Sequence, residues 1–513
     1  MLIYARIIPT VSNKSKMYNM SAHHNTIPIP PESFDLKGIT TEIRGDAAEI
    51  ERSKQLAEYL LFTDKGNKQN VSPRNNQREK FIDANRGRIA HSVFDYPELD
   101  KNTEDIIDTA LRTKMMRFLL ELEIAKQNGQ ELRDQDELEL TADYCEVTLK
   151  KMALVETAQH MRRAAASEDY EIARNKFREI CKDLFGEIDK DTSASMLATE
   201  QGKLTKLDGV DEKTLEIVTY LRTNIFDKVD IASAHSENPI LSAEVIKEAK
   251  GVIDNRYADL FSAVPDTDDS VIYSANECQK IINEAFRSVG LPDWKCAIGE
   301  VASPNTSVDK KTITISPNEK RTAKQLRCLL LHEIEVHARR GQNGTDSGYG
   351  VLKKGTADYG DVEEGLGVLL EIIHSGNLDS PALNRARDRY IVASLVEGTN
   401  GSEPMNAQEA FEATWRMLAV RMAGDDGKIT SEMIAMAKTE TMKHTENAFR
   451  ATSFRDRGLM YSKLITYYVG LTKNAEWISG VTDINEALDV AMLGKYNHTD
   501  PNEVAQVRRM VGK

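Results

Sequence analysis

Two imidazoles and a carboxylate close an apolar run at Leu329-Leu330-Leu331-His332-Glu333-Ile334-Glu335-Val336-His337. Imidazole and carboxylate are the ligands zinc prefers in catalytic sites, where three protein donors leave one position for water. A glutamate beside the first histidine can deprotonate such a water. The common zinc-peptidase helix carries H-E-x-x-H, with the histidines four apart on one face. Here they are five apart. At about 100° per residue, a regular α-helix would turn the second roughly 140° away from the first. One residue must be absorbed, and a π-bulge, a feature frequent at functional sites, absorbs it. The spacing therefore predicts a wide turn between His332 and His337. A regular helix would instead pair Glu333 with His337 at i, i+4.

A third donor stands downstream in Asp361-Val362-Glu363-Glu364-Gly365-Leu366-Gly367, which opens another apolar helix. Either Glu363 or Glu364 would complete two histidines and one glutamate. Adjacent helical residues point about 100° apart, so only one of the two reaches the ion. Paired acids in a first helical turn also occur simply because they interact favourably with the positive end of the helix dipole.

His332-Glu333 to His337, Arg340, Asn343-Gly344 and Glu363-Glu364-Gly365-Leu366 together resemble the zinc-site segments of the microtubule-associated tyrosine carboxypeptidases and their bacterial relatives, the QEGLA-motif proteins. That family's second motif has one invariant glutamate directly before Gly-Leu, so the resemblance implies Glu364 as the third ligand. Phe449-Arg450, Arg457-Gly458, Lys463 and Tyr467-Tyr468-Val469-Gly470 are similar to the family's late segment, an arginine-glycine pair followed by Lys-Asp and Tyr-Leu-x-Gly. The chain departs from the pattern at three places. Gly367 replaces the alanine ending the second motif, an exchange expected to spare the metal; Leu464 replaces the aspartate after the lysine; and no glycine follows the first Glu-Ile of the metal helix. The resemblance covers residues 240 to 470.

What the resemblance implies is a zinc metallopeptidase, a carboxypeptidase acting on a peptide or protein C-terminus. One Zn²⁺ per chain would be held by His332, His337 and Glu364, with Glu333 as general base toward a water at the metal's open position. A carboxypeptidase must also hold the terminal carboxylate of its substrate, which a forked guanidinium does best. Arg457 and Lys463 are the candidates, and Tyr467 or Tyr468 can add a hydroxyl or a ring. Two rival readings share the residues: a non-enzymatic helical interaction protein with a structural metal, and a zinc hydrolase of non-peptide amides or esters.

The elements that must position these groups are mainly helical. At 513 residues the chain exceeds what one hydrophobic core normally serves. The expected architecture is mainly α with a small β-sheet (α+β): an extended arm over 1–45, a helical domain over 46–235, and a zincin-like metallopeptidase domain over 236–513. Helical patterns run over 47–62 and 103–127 on either side of a polar loop at 65–88, then over 134–165, 168–184, 192–203, 212–226 and 241–262. A capping box at Ser274-Ala275-Asn276-Glu277 opens a helix to Gly290. Strands are expected at Trp294 to Val301 and at Lys311 to Ser316, as a hairpin or as an edge that pairs with an extended peptide. The glycine-rich stretch 341–360 reads as a loop or mobile lid. Further helices are expected at 380–397, 406–423, 429–450, 457–471 and 483–493, with Asp425-Asp426-Gly427 as a turn rather than a calcium loop. His160, His374 and His444 have no ligand spacing and read as non-ligands.

Composition narrows the partners. A formal charge of −14 argues against nucleic acid. Forty per cent apolar and 29% charged residues are ordinary for a soluble protein, and no apolar run approaches the ~18 residues of a membrane span. The apolar patch at Met1 to Ile8 is broken by Arg6 and lacks a cleavage site, so no export is expected. Five widely spaced cysteines without C-x-x-C suggest neither a disulfide framework nor a thiolate zinc site, which fits a reducing cytoplasm.

Overall fold

Apolar residues at helical spacing organise the chain, and in the computed structural model they close as helices around an extended core with a smaller one beside it. The structure describes residues 116 and 119–513, apart from 164–167, 208–210, 232–239, 266–268, 300, 302, 378–379, 400, 424–426 and 450–451. The arm over 1–45, the helix over 47–62, most of that over 103–127, the loop at 65–88 and the Asp425-Asp426 turn lie outside the described residues.

Helices α1 (Leu132–Arg163) and α2 (Glu168–Phe185) pack as a pair and share a small core with Leu459 and Tyr461. Helices α3 (Lys190–Lys203) and α4 (Glu212–Asn224) each begin at an aspartate, Asp189 and Asp211, whose side chain accepts a backbone N–H three residues on. These helices are tied directly to the later part of the chain. Arg174 and Arg178 donate to the backbone carbonyls of Arg457 and Gly458, and Arg421 reaches Glu200 of α3.

After α5 (Ala243–Arg256), strand β1 (Ile272–Ser274) enters α6 (Ala275–Ser288) through the expected capping box. Strands β2 (Lys295–Ile298), β3 (Asn305–Ser307) and β4 (Thr312–Ile315) form a sheet in the order β2-β4-β3, and β5 (Lys320–Thr322) pairs antiparallel with β1. The two strands expected from sequence are β2 and β4, but they are not a hairpin. They run parallel, with β3 antiparallel on the other side of β4. Ile313 and Ile315 are fully buried, so β4 is the central strand and the edges are β2 and β3.

A second capping box, Thr322 with Gln325, starts α7 (Ala323–Leu330), which runs without a break into π-helical turns at Leu331–Arg339 and leaves as α8 (Arg340–Asp346). The stretch expected as a lid is helical for most of its length, in α8 and the short helix Gly350–Lys354. The reason is packing: a Cβ on Gly344 would lie 2.1 Å from the Leu352 carbonyl oxygen, so glycine is what lets the two pieces close.

Helices α9 (Tyr359–Ser375), α10 (Pro381–Glu397), α11 (Ala407–Met422) and α12 (Ser431–Ala448) follow. The helix expected over 457–471 begins later. Gly458 adopts a left-handed φ of 67° and its carbonyl is taken by Arg178, so the chain stays irregular to Tyr461. It then makes a 3₁₀ turn at Ser462–Ile465 and forms α13 (Thr466–Gly480), followed by α14 (Ile484–Ala491) and α15 (Pro501–Val511). No helix among the described residues is long and apolar enough to cross a membrane.

Helix α9 is the hub, and α13 crosses it with backbones nearly touching. A Cβ on Gly365 would meet the Gly470 carbonyl at 2.1–2.3 Å, and one on Gly470 would lie 1.8 Å from the Asp361 carbonyl oxygen. Asn474 locks the crossing by donating to the Val362 carbonyl at 2.9 Å. Gly365→Ala should therefore lower stability by about 1–3 kcal/mol through overpacking. Gly360→Ala, on the same helix with open space around it, should change it by under about 0.5 kcal/mol. Urea denaturation of the two variants checks this, and equal effects would mean that the crossing is not tight.

Candidate metal centre

The wide turn expected from the histidine spacing is present and longer than a single bulge, extending over Leu331–Arg339. With i→i+5 bonding, residues five apart lie nearly above one another, so both imidazoles face the same side. Their ring centroids are 5.0 Å apart. Glu364 on α9 meets them: its Oε2 is 3.6 Å from Nε2 of His332 and 4.0 Å from Nε2 of His337. All three donor atoms lie within 4.8 Å of one another. The side chains of His332, His337 and Glu364 keep 14%, 15% and 28% of their exposure, enough for a ligand to reach them.

The remaining imidazole nitrogens are occupied by carboxylates. His332 Nδ1 donates to Glu371 Oε1 at 2.7 Å, and His337 Nδ1 donates to Glu363 Oε1 at 2.6 Å. Both Nε2 atoms are thereby left to face Glu364, which is the tautomer and orientation that carboxylates impose on metal-binding histidines. The donor set suits zinc, with two imidazole nitrogens, one carboxylate and no thiolate.

Glu363 and Glu364 thus take different tasks, one beneath His337 and the other among the donor atoms. Glu363 is in turn held by Lys495 Nζ at 2.8 Å, with Arg340 Nη1 at 3.7 Å from its other oxygen. Burial opposes ionisation of Glu363, but Lys495, His337 and Arg340 outweigh it and keep its carboxyl well below the usual range. The same contest at Glu364, with His332, His337 and Lys463 against burial, brings that carboxyl down to about 2. Burial alone would lower the His332 pKa, yet Glu364 and Glu371 hold it well above the ordinary value. The pocket between these rings is an environment for positive charge.

Glu333 is buried beside the triad, and Thr306 of β3 donates to its Oε2 at 2.5 Å. Lys463 is exposed on the turn before α13, close enough for its charge to act on Glu364. Arg457 is engaged elsewhere: it pairs with Glu409 and donates to the Pro404 carbonyl. Tyr467 lies under the Arg389 guanidinium at 3.8 Å, and Tyr468 is buried against Tyr390. His374 bonds Asp254 and His444 is buried, neither joining the triad.

Sequence reasoning missed Glu371, Thr306 and Lys495. Glu371 left a signal, since it stands seven residues after Glu364 and so on the same face of α9. Thr306 and Lys495 arrive from distant elements and left none. Gly367 has a place in the site as well. It lies directly beneath His332, where a Cβ would come within 2.6–2.7 Å of three ring atoms. Putting alanine at this position would therefore press on the His332 ring.

Residues 243–403 match the family model described as microtubule-associated tyrosine carboxypeptidase. The matched segment contains the π-helical turns, Glu333, Glu363, Glu364 and Glu371, and ends before Lys463 and Lys495. No curated protein and no solved structure matches the chain significantly.

The Gly367→Ala variant should push the His332 ring off its seat and break its bond to Glu371, at a stability cost of about 1–3 kcal/mol. A crystal structure of the variant beside the parent reads the ring position directly. An unmoved ring would show that α9 yields instead.

Proposed function

We propose that the chain is a zinc-dependent metallopeptidase of the carboxypeptidase type; carboxypeptidase is the word in the description of the family model that part of it matches, and zinc is inferred from the donor set. The observation that carries this reading is the convergence of His332 Nε2, His337 Nε2 and Glu364 Oε2, with both Nδ1 atoms tied back to carboxylates. Zinc at this position would lower the pKa of a water and polarise the scissile carbonyl.

The rest falls to the chain's own groups. Thr306 fixes Glu333 through Oε2 and leaves Oε1 as the atom that takes the proton from water and passes it to the leaving amine. Glu371 and Glu363 keep the two imidazoles from rotating. Lys463 is the better candidate for the substrate's terminal carboxylate, because it is exposed near Glu364 while Arg457 is already paired with Glu409. Tyr467, one turn from Lys463 and covered by Arg389, offers a flat face to a terminal side chain. The substrate on this reading is a peptide or protein with a free C-terminus.

Elemental analysis of purified protein should find one zinc per chain, absent from Glu364→Ala and retained by Glu333→Gln. Peptide cleavage by Glu333→Gln should fall by about 10²–10⁴-fold, the usual contribution of a positioned general base. Full activity in that variant with zinc bound would remove Glu333 from the mechanism.

Terminal recognition is tested separately by comparing a peptide with its C-terminally amidated form. The free acid should be cleaved preferentially, and Lys463→Ala should raise KM for it more than Arg457→Ala does. Equal cleavage of both peptides by the parent would mean an endopeptidase. Zinc binding without cleavage of any peptide would favour a structural metal or a non-peptide substrate.

A further inference from the structure

The carboxylate under His337 does not stand alone. Lys495 reaches it at 2.8 Å from a segment that lies more than ninety residues beyond the family match. That segment is built into the site at several points. Buried Arg340, at the exit of the π-helical turns, donates to the carbonyls of Gly494 at 2.9 Å and Tyr496 at 2.6 Å. Asn343 donates to the Met492 carbonyl at 2.7 Å. The Lys495 backbone is itself fixed on both sides, its N–H donating to Leu352 and its carbonyl accepting from Thr356. A buried lysine so tethered directs its charge at Glu363, with the Tyr359 ring 5.8 Å away as its other neighbour.

We infer that Lys495 is a positioning residue for the metal centre, acting through Glu363 to hold His337 with Nε2 aimed at the ion. The inference rests on the metal reading above for its consequence, but its geometry concerns the zinc-free chain as well. A carboxylate that bonds a ligand histidine is worth about 10–100-fold in metal affinity when lost. Lys495 is set to deliver a share of that effect without touching the ion. Any group acting solely through Glu363 must lose its influence once Glu363 can no longer respond.

The test is a zinc titration of the full chain against a competing chelator. Lys495→Met should bind zinc about 10–100-fold more weakly than the parent, and Lys495→Arg should recover most of the loss. Glu363→Gln combined with Lys495→Met should be no weaker than Glu363→Gln alone. That pair removes both charges of the Lys495–Glu363 contact and leaves Arg340 on the carbonyls of Gly494 and Tyr496, so it keeps the comparison available if Lys495→Met does not fold. Lys473→Met, which removes a lysine paired with Asp361 on the same helix, should leave affinity unchanged.

A second readout uses ¹⁵N-histidine spectra of zinc-free protein at pH 8. The parent should show His337 as the single Nδ1–H tautomer, and Lys495→Met should show a mixture. Parental zinc affinity and an unchanged His337 pattern in Lys495→Met would overturn the inference, as would losses that simply multiply in the double variant. A parent that binds no zinc would overturn the metal reading instead, leaving the His337 spectra to decide the role of Lys495.

Discussion

Imidazoles five residues apart can address one point only where the helix is wound wide, and wide winding has to be held open from outside. The turns at Leu331–Arg339 are gripped at both ends. Upstream, α7 is set by the Thr322 and Gln325 capping box. Downstream, Arg340 is fully buried and spends its donors on the carbonyls of Gly494 and Tyr496. A buried guanidinium without partners would cost several kcal/mol. With two carbonyls accepting from it and Glu363 nearby, it becomes an anchor.

The second constraint is α9, which serves three neighbours from three faces. Gly365 turns toward α13 and allows backbone contact; Gly367 lies under His332; Glu364 and Glu371 flank that glycine one turn to either side. A residue with a Cβ at either glycine would separate α9 from a partner that fixes the site. The two consecutive glutamates then divide because successive side chains diverge by about 100°. Glu364 remains at the donor cluster, while Glu363 turns to the side where Lys495 and Arg340 balance its charge.

Much of this was legible in the residues. The helices expected at 168–184, 192–203, 212–226, 380–397, 406–423 and 429–450 are present with their ends shifted by a few residues, and the five-residue spacing of the histidines foretold a wide turn because no regular helix could use it. What escaped was whatever depends on partners far along the chain. The direction of β2 against β4 is decided by where β3 inserts, and nothing local to either strand records it. The glycines of 341–360 looked like a loop because close approach and flexibility call for the same residue. Lys495 carried no signal at all, since a lysine on a C-terminal segment resembles a surface residue until its neighbours are known.

Net charge misleads in the same way. At −14 the chain is acidic as a whole, yet charge between exposed groups acts within about 8 Å in physiological salt, and within that range the site is mixed. The carboxylates of Glu363, Glu364 and Glu371 are matched by Lys495, Lys463 and Arg385, each of which helps to hold its carboxyl ionised. Of these cations Lys463 is exposed on the irregular turn, and the next residue, Leu464, points into the core. The departure from the family's Lys-Asp pair therefore falls on the inward side of the turn. A leucine there adds to the packing beneath α13, while the lysine beside it stays exposed and near enough for its charge to act on Glu364.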